Sequence, residues 1–109
     1  MLRLEDFLVF KNATIQECLK SIEKNKHRTL VVVDESMKLL GTITDGDIRK
    51  ALINRISIDS SIQELVNYNC VSIDYNEQIE FSVLRKKYPE IIVFPVVQNG
   101  IVVGIKTIF

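Results

Sequence analysis

The residues best suited to chemistry stand together in the segment Gly41-Thr42-Ile43-Thr44-Asp45-Gly46-Asp47-Ile48-Arg49. A predicted strand delivers Thr44 to the start of a predicted helix. Free N–H groups and the positive end of the helix dipole favour an anion there. Thr44 offers a hydroxyl. Asp47, one turn on, offers a carboxylate suited to accepting hydrogen bonds from a pair of ribose hydroxyls. The same residues can equally be a helix cap, with acidic groups in the first turn because the dipole stabilises them. Spacing alone favours the cap.

Catalysis finds little support elsewhere. The single His27, in the basic stretch Lys24-Asn25-Lys26-His27-Arg28, reads as a solvated loop residue, and it has no Ser or Cys partner in a nucleophilic constellation. Asp45 and Asp47 lie two apart on a helix and point to different sides, so they are not a paired acid and base. Cys18 and Cys70 form no CxxC and, with one His, no zinc site at usual spacing. They read as buried thiols of a reducing cytoplasm. The sequence therefore predicts a non-catalytic chain with no metal and no required cofactor.

Composition narrows the field further. The chain has 109 residues, 47% of them hydrophobic, enough for one small domain with its own core. Its 14 Lys and Arg offset its 14 Asp and Glu, with no strongly basic half, which argues against sequence-independent nucleic-acid binding. Apolar runs of only a few residues fall far short of the ~20 that cross a bilayer, and Met1-Leu2-Arg3-Leu4-Glu5-Asp6 does not open a secretory signal.

The elements that must position Thr44 and Asp47 follow from hydrophobic period. A strand is predicted at residues 7–9, then a helix opening on the capping box Thr14-Ile15-Gln16-Glu17. The β-branched run Leu30-Val31-Val32-Val33 reads as a strand buried on both faces, followed by a polar turn, a strand at residues 39–43 and a helix at residues 45–53. After a linker at residues 54–60 and a short helix expected at Ser61-Ile62-Gln63-Glu64, the order begins again. Residues 71–73 match 7–9 at an offset of 64, Ile79 matches Ile15, Val83 matches Leu19, and Phe94-Pro95-Val96-Val97 matches Leu30 to Val33. A tighter Asn99-Gly100 hairpin drops the offset to 63, so that Gly104 matches Gly41.

The expected fold is thus α/β (α+β), two β-α-β-β-α repeats in a pseudo-two-fold arrangement sharing one core. Residues 1–54 form the first repeat, 55–69 the linker and short helix, and 70–109 a second repeat that lacks its final helix. Ending on Ile108-Phe109 points to a piece of a longer chain, the alternative being a native strand-terminated protein.

The repeat, with Leu30-Val31-Val32-Val33-Asp34, the segment at residues 39–49 and Phe94-Pro95-Val96-Val97, resembles a tandem pair of CBS (cystathionine β-synthase) domains, a Bateman module. Its Thr-Asp-Gly-Asp-Ile-Arg variant is similar to pairs that precede sugar-phosphate nucleotidyltransferases. A related pattern accompanies sugar-phosphate isomerases. The resemblance implies a regulatory module that senses an adenine nucleotide or related ligand, AMP or ATP among them, for an attached catalytic domain, and that forms a homodimer.

In such pairs the Thr-x-x-Asp segment holds the ligand, which assigns Thr44 to phosphate or ribose and Asp47 to the ribose hydroxyls. Thr14 would add a hydroxyl, Val9, Asn12 and Val31 would wall the base, and Arg28 either pairs with phosphate or remains a solvated charge. Gln78 replaces Thr14 in the second repeat, and the Asp expected three residues after Thr107 is not in the sequence, so at most one competent nucleotide site is expected. The contrasting reading is an oligomerisation scaffold with a vestigial cleft, its apolar helix face including Ile48, Leu52 and Ile53.

Overall fold

Thr14 accepts a hydrogen bond from the Glu17 N–H at 3.1 Å, and the Glu17 carboxylate accepts from the Thr14 N–H at 3.2 Å, so the capping box forms as its residue types dictate. In this computed structural model, which describes residues 2–108, α1 accordingly runs Ile15–Asn25. It ends at Lys26 in the left-handed conformation, while Asn25 Nδ2 donates to the carbonyls of Asp6 and Thr29. Phe109 lies outside the described residues.

The first sheet sets β1 (Leu8–Phe10) parallel to β2 (Thr29–Val33), which pairs antiparallel with β3 (Leu39–Thr44). From β3 the chain passes directly into α2 (Asp45–Ile53). The second sheet repeats that order with β4 (Ile73–Asp74), β5 (Val93–Gln98) and β6 (Ile101–Thr107), with α3 (Phe81–Lys87) between β4 and β5. Its hairpin turns on Asn99 and Gly100, both at positive φ, as a two-residue Asn-Gly loop requires. Even the irregularities repeat: the register shifts between Val32 and Val33 and again between Val96 and Val97.

Every residue of β2 is buried. Leu30 and Val32 face a core with Ile15, Cys18, Ile43 and Ile48, under the helices of the first repeat. Val31 and Val33 face the other way, into a core shared with Phe7, Val93 and Val102. That second cluster draws on both repeats, which confirms the common core. The hairpin ends are also joined, the Leu39 N–H donating to the Gly100 carbonyl and the Val102 N–H to the Met37 carbonyl.

Several sequence expectations need correction. Residues 4–7 form a 3-10 turn and the strand begins at Leu8, because Phe7 is drawn wholly into the shared core. The short helix at residues 61–64 does not form. Ser61 pairs with Thr14, the Ile62 N–H donates to the Ala13 carbonyl, and Ile62 is fully buried, so tertiary pairing overrides the local capping pattern. Strand β4 starts at Ile73 rather than Val71. Pro95 stands where Val31 pairs with Leu8 and has no N–H to give the ladder, and its counterpart Ser72 is unladdered. Helix α3 starts late, at Phe81, since no side chain caps it. It also turns, so that Leu84 points inward and Val83, expected to pack like Leu19, is exposed.

Gly41 shows what the linker does. Thr42 and Asn67 exchange backbone hydrogen bonds at 3.1 and 2.8 Å, which lays the linker across β3 so closely that a Cβ on Gly41 would stand 2.4 Å from the Asn67 oxygen. At Gly104 the nearest atom would be 3.9 Å away. Gly41→Ala is therefore expected to lower unfolding free energy by about 2 kcal/mol or more through overpacking, while Gly104→Ala stays within about 0.5 kcal/mol. Urea denaturation of the two variants checks this, and equal costs would contradict the close approach.

Candidate functional site

Thr44 is the last residue of β3 and the N-cap of α2. Its N–H and hydroxyl both donate to Asp47 Oδ2 at 3.0 Å, and the Asp47 N–H donates back to the Thr44 hydroxyl oxygen at 3.2 Å. The cap reading of this segment is thus realised. It does not exhaust the carboxylate, because an ionised Asp can accept about four hydrogen bonds and Oδ2 takes both of these. Asp45 turns aside, its N–H donating to the Arg28 carbonyl and its carboxylate accepting from Arg49 at 3.1 Å.

A cavity of about 490 Å³ opens beside this cap. The first repeat lines it with Thr29, Thr42, Thr44 and Asp47. Opposite stand Asn67, Asn69, Cys70 and Val71 from the linker and the approach to β4. Tyr88, Glu90, Ile91 and Val93 close the remaining side. The segment at residues 67–71 is placed by the same Thr42–Asn67 pairing that covers Gly41, and the Asn67 carboxamide accepts from the Asn69 N–H. Tyr88 is oriented by an edge contact with the buried Phe94 ring at 6.0 Å. Hydroxyl, carboxamide and carboxylate groups converge here on apolar walls, the composition of a site for a small polar-rimmed aromatic molecule.

The structure separates the remaining candidates from this cavity. Thr14 is committed to the α1 cap, and Val9 and Asn12 line a shallow depression of about 500 Å³ with Glu17 and Glu35. Val31 is fully buried in the shared core. Arg28 lines a third depression with Lys26, His27 and Ile92. The lining residues from 67 to 93 escaped sequence reading because the site residues were assigned within the first repeat, whereas the cavity is built across the two.

Among the described residues no group of His, Cys, Asp and Glu could hold a metal, and no helix is long and apolar enough to cross a membrane.

Comparison with known proteins locates this architecture. Residues 5–54 match the CBS domain family. The chain is 33% identical over 97 residues to an L-aspartate semialdehyde sulfurtransferase of Methanocaldococcus jannaschii, covering 88% of the chain but 18% of the relative. It is 29% identical over 98 residues to a homoserine O-acetyltransferase of Methanococcus vannielii, covering 88% of the chain and 20% of the relative. The chain thus spans only about a fifth of these curated relatives. Among solved structures, the CBS domain pair of protein MJ0100, in complex with 5′-methylthioadenosine and S-adenosyl-L-methionine, superposes with a TM-score of 0.77 at 31% identity, over 93% of this chain and 80% of that one. The CBS domain protein PAE2072 from Pyrobaculum aerophilum, complexed with AMP, gives a TM-score of 0.79 at 20% identity over 93% and 79%, a likeness of fold.

The thiols differ in a measurable way. Burial, with the Glu17 charge second, pushes Cys18 up to about 11, and burial also raises Cys70, against a smaller opposing backbone hydrogen bond. A folded-state pKa above the ordinary 9.0 contributes stability that is complete below pH 9 and is lost as pH rises through about 11. Unfolding free energy is expected to fall across that window more steeply in the native chain than in Cys18→Ala. Parallel pH profiles would contradict it.

Proposed function

The chain belongs to the CBS domain family as a tandem pair, and on that premise we propose that it is a regulatory, non-catalytic module that binds an adenine nucleotide or related adenosine compound. The observation that carries this reading is the juxtaposition of Thr44 and Asp47 with residues 69–71 and 88–91 across one cavity between the repeats. Asp47 retains acceptor capacity for the vicinal hydroxyls of a ribose, Thr44 and the Asn side chains supply further polar contacts, and Val71, Ile91 and Tyr88 offer apolar surface for a base. The adenosine compounds held by the similar structures support the same ligand class.

A ligand in this cavity touches both repeats. It therefore favours whichever arrangement of them fits it better, and that preference is what an attached catalytic domain would read. The small share of the curated relatives that the chain spans supports a module set within a larger protein. Residues 44–49 support a sugar-phosphate nucleotidyltransferase as that attached domain, with an isomerase as the alternative. The relatives named above have other activities, so this assignment rests on the resemblance of that segment. Two separate thiols held protonated suit a cytoplasmic setting.

The pair also self-associates in this reading. Ile48 is buried in the first core, contrary to its expected place on the apolar face, but Leu52 and Ile53 on α2 are 38% and 71% exposed. Covering that face with a second copy removes it from water.

Calorimetry with adenosine, AMP, ATP and a nucleotide sugar tests the ligand reading. Binding of at least one is expected, weakened about tenfold or more by Asp47→Asn, which preserves an acceptor for the helix cap while removing the charge. Silence with all of them overturns it. Sedimentation tests the self-association: a dimer is expected for the native chain and a monomer for Ile53→Asp, and a native monomer at high micromolar concentration overturns it.

A further inference from the structure

Thr29 opens β2 and lines the Thr44/Asp47 cavity although only 6% of its surface is exposed. Strand alternation aims its side chain. Leu30 and Val32 lie under the helices, so Thr29 points with Val31 and Val33 towards the other repeat. Its backbone is fixed on both sides: it pairs with Thr44 across the ladder, and its carbonyl accepts from the buried Asn25 Nδ2 at 3.1 Å. Its hydroxyl, by contrast, has no hydrogen-bond partner among the described residues. None of their side-chain oxygens or nitrogens is fully enclosed without a partner, so this hydroxyl keeps its remaining surface on the cavity. The fold does not ask for it. At the offset of 64 the second repeat has Val93, 2% exposed in the shared core, and a buried hydroxyl left unpaired costs stability that a valine would not.

The neighbouring cap explains what the hydroxyl can do. Thr44 gives its hydroxyl proton to Asp47 Oδ2 and takes the Asp47 N–H on one lone pair, so towards a ligand its side chain is an acceptor only. The Asp47 carboxylate is an acceptor as well. A ribose hydroxyl that donates to the free Asp47 oxygen has its own oxygen left to accept a hydrogen bond, and the cap has no side-chain proton to offer it. Thr29 does. Directly opposed strand residues stand about 4.5–5.5 Å apart at Cβ, a span that one ligand hydroxyl bridges.

Resting on the adenosine-binding reading above, we infer that Thr29 is a further ligand-binding residue of this cavity: its hydroxyl donates to a ribose hydroxyl oxygen whose own proton goes to Asp47. The stability lost by burying the hydroxyl unpaired in the free chain is recovered only in the complex.

Calorimetry on the full chain with adenosine, AMP and their 2′-deoxy and 3′-deoxy forms, alongside thermal melts without ligand, tests this. In Thr29→Val the melting temperature is expected to hold or rise, while affinity for the ribose compound that binds falls about three- to tenfold, the worth of one ordinary hydrogen bond. In the native chain at least one deoxy form is expected to bind more weakly than its parent, and Thr29→Val should shrink that penalty by a similar factor, because the two hydroxyls act as a pair. Thr29→Ser should bind several-fold more tightly than Thr29→Ala. That pair differs only by the hydroxyl and repeats the comparison should valine disturb the strand. Unchanged affinity in Thr29→Val, with or without a lowered melting temperature, overturns the inference and leaves the nucleotide-binding reading standing. Equal weakening of parent and deoxy forms overturns it too. No binding of any of these compounds by the folded native chain removes both.

Discussion

A three-stranded sheet that carries its helices on one face leaves the other face bare, and the association of two such faces is the constraint from which this structure follows. β2 shows it most directly. Alternate residues of one strand serve two cores, Leu30 and Val32 under the helices and Val31 and Val33 against Val93 and Val102 of the other repeat. Neither sheet could be exposed on its inner side without presenting a continuous β-branched surface to water. Pairing the repeats removes that surface. It also leaves a cavity between the repeats, and there Thr44, Asp47, Asn67 and Asn69 collect.

The repeats share a pattern but not its details, and small differences in residue type have structural consequences. Thr14 and Thr44 each form a reciprocal cap, with Glu17 and Asp47 as their partners, and their helices start where the sequence places them. The third helix has Glu80 before it with no side-chain cap, begins late and is shorter. At the offset of 63, Lys106 occupies the place of the buried Ile43. Instead of filling a core it lies over the Phe81 ring at 4.5 Å and donates to the Ile79 carbonyl, a cation holding the uncapped start of the helix. It anchors the segment that leads into α3 but accepts nothing from the free N–H groups of the first turn, which stay uncapped.

Local chemistry made much of this legible. Capping boxes, the Asn-Gly hairpin, the fully buried β2 and the spacing of the repeat all depend on residues near one another in the chain, and each appears where the sequence points. The helix expected at residues 61–64 failed for the opposite reason: Ile62 is worth more in the first core than in an isolated turn, and Ser61 finds Thr14 as a partner across the fold. The cavity was legible only by half. Thr44 and Asp47 stand out only once the Thr-x-x-Asp segment is matched to the family it resembles, and Asn69, Cys70, Tyr88 and Glu90 carry no local pattern. They are gathered by the linker lying on β3 and by the shared core. Val9 and Asn12 line a separate depression and Val31 lies in the shared core, so these three do not face this cavity.

In the proposed reading Asp47 has a double duty that ties stability to recognition. Its carboxylate closes the α2 cap through one oxygen, so the helix end is already ordered before any ligand arrives. A ligand hydroxyl meeting the other oxygen encounters an acceptor whose position costs no further side-chain entropy. Such preorganisation fixes only the first-repeat half of the cavity. The facing half, at residues 67–71 and 88–91, is carried on loops held by a few backbone bonds, so in the proposed reading the free energy of binding would act mainly on their position relative to α2. A signal from this module would accordingly pass through the linker and the second repeat, with α2 serving as the fixed side.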